Sequence, residues 1–113
     1  MDITASAQWS DLAKAYETKK DLNLRELFAA DADRARNFTF DAAGLHVDLS
    51  KNLIDGDVIK QLVEVAKAAD LESRRDAMFA GEHINNTEDR AVLHTALRIP
   101  VEDDLSVDGQ DRS

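Results

Sequence analysis

Apolar and polar positions alternate along this chain with two different periods. From Ser6 to Lys20 the period is helical: Trp9, Leu12, Ala13 and Tyr16 fall at i, i+3, i+4 and i+7, one stripe of an amphipathic helix. Lys19 and Lys20 close it, where a cation suits the negative end of the helix dipole. A second start signal follows. Asn23 can accept from a free amide of the first turn and Glu26 can reach back, as in a capping box, with Leu24, Leu27 and Phe28 as the apolar face. Asp31 or Asp33 is expected to cap a further short turn through Ala35.

The period then drops to two. Phe38 and Phe40 alternate with Asn37, Thr39 and Asp41, and Leu45, Val47 and Leu49 alternate with His46, Asp48 and Ser50. Between the runs lies Asp41-Ala42-Ala43-Gly44, a turn ending in glycine, so the segment reads as a β-hairpin with one face buried. Two strands are marginal alone, and this hairpin should pack on helices or extend another sheet. Helical period resumes after Asp55-Gly56-Asp57, with Val58, Ile59, Leu62, Val63 and Ala66 on one broad face. Asp70 is expected to cap a helix carrying Leu71, Met78 and Phe79, and Gly81 to end it in the left-handed position. A polar loop, Gly81 to Glu88, leads to a last expected helix with Val92, Leu93, Ala96 and Leu97 inward, stopped by Pro100. The remainder, Val101 to Ser113, is acidic and is expected to be loose or extended. The fold class is thus mainly α with one β-hairpin.

Composition narrows the function classes. The chain has 113 residues, about one domain's length, and no cysteine, which excludes disulfides, Cys-ligated zinc, iron–sulfur clusters and thiol nucleophiles. No stretch approaches the roughly 20 apolar residues of a membrane helix, and Met1-Asp2-Ile3-Thr4 is no secretory signal. A net charge of −9 argues against binding nucleic acid. A nucleic-acid mimic would align its acids on one face, whereas here they are dispersed among 14 bases. A solvated surface is the plainer reading of the charge.

Candidate chemistry is sparse. His46, His83 and His94 include no helical pair spaced for a metal, and His46 should be exposed. No Gly-rich phosphate cradle or serine elbow is present, and no carboxylate is marked as buried. Asn85-Asn86-Thr87 matches a glycosylation acceptor, but without a secretion signal the match has no use. Arg74, Arg75 and Asp76 precede Ala77-Met78-Phe79, a grouping that can anchor on a partner, or that is simply an exposed basic turn with an apolar inner face.

The run from Arg75 to Arg98 resembles the N-terminal part of the glucose-6-phosphate isomerase family. It meets each fixed position of the pattern G-E-x-I-N-x-T-E-x-R-A-V-L-H-x-A-L-R, here Gly81 to Arg98. Val47-Asp48-Leu49-Ser50-Lys51-Asn52 is similar to the family's V-D-[YFL]-S-K-N, and Arg25-Glu26-Leu27-Phe28 to its [IL]-R-[DE]-L-F. The resemblance runs from about Trp9 to Asp111. It implies a soluble cytoplasmic glycolytic and gluconeogenic enzyme that interconverts glucose 6-phosphate and fructose 6-phosphate without a cofactor. A glutamate base moves a proton between C1 and C2 through an enediol, a histidine and a lysine assist ring opening, and Ser/Thr-rich loops hold the phosphate. Those groups lie downstream of the matching positions, so no catalytic, substrate-binding or metal-ligating residue is expected in this chain.

On that reading residues 1–101 are the N-terminal helical and hairpin segment of a larger α/β sandwich enzyme. Residues 102–113 are expected to be an acidic tail cut short, with Arg112-Ser113 a cloning scar or an altered terminus, the alternative being a natural short tail. The partners are the remainder of the parent chain and a second subunit, with a sugar phosphate as substrate of the intact enzyme only, and neither nucleic acid nor membrane. Whether Arg90 or His94 nears the substrate there stays open. The alternative is a stand-alone acidic helical interaction module, with Arg74 to Phe79 and the loop at Ile84 as its contact surface.

Overall fold

Ser6 starts the first helix by a local bond. Its side-chain oxygen accepts from the Trp9 amide at 3.2 Å, satisfying one of the orphan donors of the first turn. In the computed structural model, which describes residues 2–100, 106–107 and 110–111, this helix (α1) runs from Ala7 to Lys19. A 3-10 turn, Ile3–Ala5, precedes it. Asn23 caps α2, Leu24–Ala30, by accepting from the Arg25 amide at 2.8 Å. Among the described residues no bond from Glu26 completes a capping box. The next turn, α3, spans Arg34–Asn37, two residues beyond the expected end. Asp33 stands at its N-terminus without a side-chain cap, while Asp31 accepts from the Asp33 amide at 2.9 Å and from the Asn37 amide group at 3.2 Å.

The hairpin forms as the period-two pattern expects. β1, Thr39–Ala42, pairs antiparallel with β2, Leu45–Asp48, in the register Thr39↔Asp48, Phe40↔Val47, Asp41↔His46 and Ala42↔Leu45. Both turn residues take positive φ, Ala43 at 51° and Gly44 at 77°, which matches the twist of a two-residue hairpin. Phe40, Ala42, Leu45 and Val47 share one face. That face is not buried as expected: Phe40 is 48% and Leu45 66% exposed.

α4, Gly56–Ala68, packs on α1. The contact turns α1 away from its expected stripe. Leu12 and Lys19 are half-buried and Ala15 is buried, whereas Tyr16 is 64% exposed and Trp9 is also exposed. On α4, Val58, Ile59, Val65 and Ala66 are half-buried, and Leu62 and Val63 are exposed. Ala15 is the one hydrophobic residue that counts as buried among those described, so apolar burial per side chain falls short of the ~1.5–3 kcal/mol of a fully buried Leu or Val.

The chain divides into two units, residues 1–68 and 69–113. The second begins with Asp70 in the left-handed region at φ 55°, followed by α5, Leu71–Phe79. Asp70 holds the N-cap place but makes no capping bond. The other end is as expected. Gly81 at φ 81° donates to the Met78 carbonyl at 3.1 Å and Glu82 to that of Ala77 at 3.0 Å, a Schellman closure. The last expected helix is reduced to a five-residue 3-10 turn, His94–Arg98, and Leu97 is 83% exposed rather than inward. Ile99 precedes Pro100 and is extended at ψ 146°, which stops the turn. In the expected loose tail, Ser106–Val107 (β3) pairs with Gln110–Asp111 (β4). The mainly helical class with a hairpin holds.

Candidate functional site

The best-organised polar cluster lies in the first unit, around a residue with no periodic signal. Arg34 opens α3 and is 2% exposed. Its Nε donates to the Ser50 carbonyl at 2.9 Å, its Nη2 to that of Asn52 at 2.9 Å and its Nη1 to that of Ile54 at 3.0 Å. The guanidinium lies 4.6 Å from the Phe38 ring centre and 5.5 Å from that of Phe28. A planar fork with five donors suits this task, since three carbonyls of one loop converge on it while its faces meet aromatic rings.

The loop so held runs straight into two further contacts. Asp48 accepts from the Ser50 amide at 2.8 Å, and Lys51 stands 3.8 Å away. The Ser50 hydroxyl and amide, then Lys51, hold the Asp48 carboxyl below the usual carboxylate range. At the loop's other end Asp55 caps α4, accepting from the Val58 amide at 3.0 Å, and binds Lys19 of α1 at 2.5 Å. Burial works to raise the Asp55 pKa, but the bonds from Lys19 and Val58 outweigh it and the net shift is down. Lys19 is raised, chiefly by the bond to Asp55. Thus Arg34 sets the loop, the loop sets Asp55, and Asp55 joins α1 to the start of α4. This arrangement positions backbone.

In the second unit, residues 83–90 form a self-bonded turn. Asn85 and Arg90 exchange backbone hydrogen bonds at 3.0 and 3.3 Å. The Asn85 side-chain oxygen accepts from the amides of Thr87 at 3.2 Å and Glu88 at 3.3 Å. Asp89, at φ 52°, meets His83 Nδ1 at 3.0 Å. This turn is where the motif from Gly81 to Arg90 spends its polar residues.

The residues singled out by sequence belong to different units or turn to solvent. His46 is exposed as expected and pairs with Asp41 across the hairpin at 2.7 Å. Arg75 is exposed and binds its neighbour Asp76 through two 3.0 Å bonds, and Phe79 is exposed as well. Arg90 is exposed and 4.0 Å from Glu88. His94 is exposed beside a shallow pocket of about 380 Å³ that it lines with Phe79, Thr95, Arg98, Ile99 and Pro100. Among the described residues no three His, Asp or Glu side chains gather as for a metal ion, and no helix is long and apolar enough to cross a membrane. Arg34 is what sequence reasoning missed. Phe38, four residues on, is the one sequence hint, because i and i+4 meet on a helical turn.

Known proteins match the same stretches. The phosphoglucose isomerase family model matches residues 48–113, starting at the Arg34-held loop. The glucose-6-phosphate isomerase of Corynebacterium efficiens is 60% identical over 110 residues, covering 97% of this chain and 20% of that protein. That of Corynebacterium kroppenstedtii is 58% identical over 109 residues, 96% of this chain and 20% of the relative. That of Mycolicibacterium gilvum is 53% identical over 110 residues, with 97% and 20% covered. The chain therefore spans about a fifth of the length of the curated relatives it matches. With more than half of its residues matched by the family model, the chain belongs to the phosphoglucose isomerase family.

Proposed function

We propose that this chain acts as the N-terminal region of a cytoplasmic isomerase that interconverts glucose 6-phosphate and fructose 6-phosphate. The observation that carries the reading is an identity of 53–60% across 96–97% of the chain to proteins named glucose-6-phosphate isomerase. The proton transfer through an enediol, and the grip on the phosphate, belong to the four fifths of the enzyme that this stretch does not span. The region itself contributes no catalytic residue and calls for no cofactor. Its work is to pack: α1, α4 and the Arg34-held loop buttress the body of the enzyme. A second subunit completes the intact enzyme.

The experiment is a coupled assay with fructose 6-phosphate on two purified proteins, the 113-residue chain and the full-length protein that contains it. Turnover is expected from the long protein alone. Turnover above background from the chain would overturn the structural role, and a silent full-length protein would overturn the activity. Replacing Arg90 and His94 by Ala in the long protein, with kcat/KM as the readout, decides whether either side chain serves the substrate.

A further inference from the structure

The packing of α1 on α4 leaves a groove of about 370 Å³ lined by Leu12, Ala15, Tyr16, Leu53 and Val58, with the stems of Lys19 and Lys20 at its edge. Both ammonium groups are already engaged, Lys19 by Asp55 and Lys20 by Glu17 at 2.8 Å, so the lysines offer the groove aliphatic walls rather than charge. The lining is apolar, and the Tyr16 ring stands 64% exposed along it. A tyrosine at i+4 from Leu12, on the same side of the helix, is the sequence signature of a face that expects a cover.

Three observations choose the occupant. A second copy of this chain would bring another net charge of −9 to the same place. A lining of seven side chains also falls well short of the roughly 800 Å² per partner that a stable dimer buries. The relatives, in contrast, carry four fifths of their length beyond what this chain spans. A segment tethered in the same polypeptide needs far less contact area, because its effective concentration is set by the tether. We propose that this groove seats apolar side chains of an amphipathic segment from the rest of the full-length polypeptide. The proposal rests on the reading of the chain as the N-terminal region of that longer protein, and it adds the place where the two parts meet.

The test uses the absence of cysteine from this chain. Tyr16→Cys is made in the 113-residue chain and in the full-length protein with any accessible native cysteines replaced, and maleimide labelling is timed at low salt. Each rate is normalised to the same thiol in denatured protein. Tyr16 is exposed, so the variant should fold; Leu53→Cys, at the groove's other wall, repeats the measurement independently. The full-length protein should label about tenfold or more slowly at both positions than the chain alone. Equal rates in the two proteins overturn the proposal. Protection that instead appears in the chain alone as its concentration rises, with a dimer in sedimentation, also overturns it in favour of a second copy. The isomerase assay is read on the same full-length variant: protection without turnover sinks the activity and leaves the groove assignment standing, and turnover without protection does the reverse.

Discussion

At the residue scale the fold of the first unit depends on one buried cation that has no acidic partner among the described residues. Arg34 spends its donors on three carbonyls of the 50–54 loop. Truncating it removes a donor from each carbonyl, although that of Asn52 also accepts from the Ile54 amide at 2.9 Å, and opens space beside Phe28 and Phe38, so Arg34→Ala should cost on the order of 3 kcal/mol. Urea unfolding measures it; a loss below about 1 kcal/mol would show the loop holding itself. Arg34→Lys should recover little, because one ammonium cannot face three carbonyls in a plane while lying between two rings. The Lys19–Asp55 pair makes a second, pH-dependent prediction. Asp55 is shifted down on folding, so its contribution is present above the ordinary carboxylate pKa of ~3.9 and is lost as pH falls through the lower folded value. Lys19 is shifted up, so its contribution is present below ~10.4 and is lost as pH rises through the higher folded value. Stability should be flat between those limits and fall on both sides. Asp55→Asn keeps an acceptor for the Val58 amide but removes the charge, and should lower the plateau by about 1 kcal/mol or less, since the pair is partly exposed. The acid limb should become shallower without vanishing, because Asp2 and Asp48 are also shifted down. Melting temperature against pH reads all of this; an unchanged acid limb in Asp55→Asn would refute the linkage.

At the element scale, what the sequence made legible was set by how local the cause is. Ser6, Asn23 and Gly81 act within three or four residues, and each ends or starts a helix where the pattern places it. The hairpin is equally local. Ala43-Gly44 closes it, and Ala43 pays for its place with φ at 51°, a region that Asn adopts more readily than Ala. Ala43→Asn should therefore stabilise the first unit by roughly 0.5–1 kcal/mol, read as a raised urea midpoint at unchanged slope. A lower midpoint would show that the turn is not held in that geometry. Orientation is another matter, because it depends on what lies across the contact. The stripe of Trp9, Leu12, Ala13 and Tyr16 has correct helical spacing, yet with α4 packed on α1 the covered side chains include Leu12, Ala15 and Lys19, about one residue further round. Large side chains carry the periodic signal, and here small Ala15 is the one buried. The helix expected from Val92 to Leu97 fails for a related reason. Its spacing is helical, but Asp89 enters in the left-handed region, Arg90 is tied back to Asn85 in a β-bridge and Ile99 is extended before Pro100; the residues between form only the 3-10 turn His94–Arg98. Arg34 was illegible because carbonyls carry no residue identity, so nothing in the sequence marks Ser50, Asn52 and Ile54 as its partners.

At the scale of the whole molecule the decisive quantity is the apolar surface left without cover. Trp9, Tyr16, Phe28, Phe40, Leu45, Leu53, Leu62, Val63, Leu71, Phe79 and Leu97 are all exposed, some of them along the α1–α4 groove and on one face of the hairpin. A chain meant to stand alone, such as an acidic interaction module, would confine exposed apolar area to its contact patch. The candidates for that patch were Arg74 to Phe79 and the loop at Ile84. Yet most of these exposed residues lie in the other unit, on α1, α4 and the hairpin. Dispersed uncovered faces are what a region normally packed against a larger body would present. Two forces then oppose each other in the isolated chain. Uncovered apolar faces favour association, and a net charge of −9 resists it over a distance set by salt. At about 10 mM ionic strength, where charges act across roughly 30 Å, the chain should sediment as a monomer and bind the dye ANS. At about 0.5 M salt the repulsion is screened while the apolar faces are unchanged, so oligomers should form and dye binding should fall as those faces are covered. A monomer that binds no dye and unfolds cooperatively at every salt concentration would instead mark a self-sufficient domain, and would return the interaction module to first place.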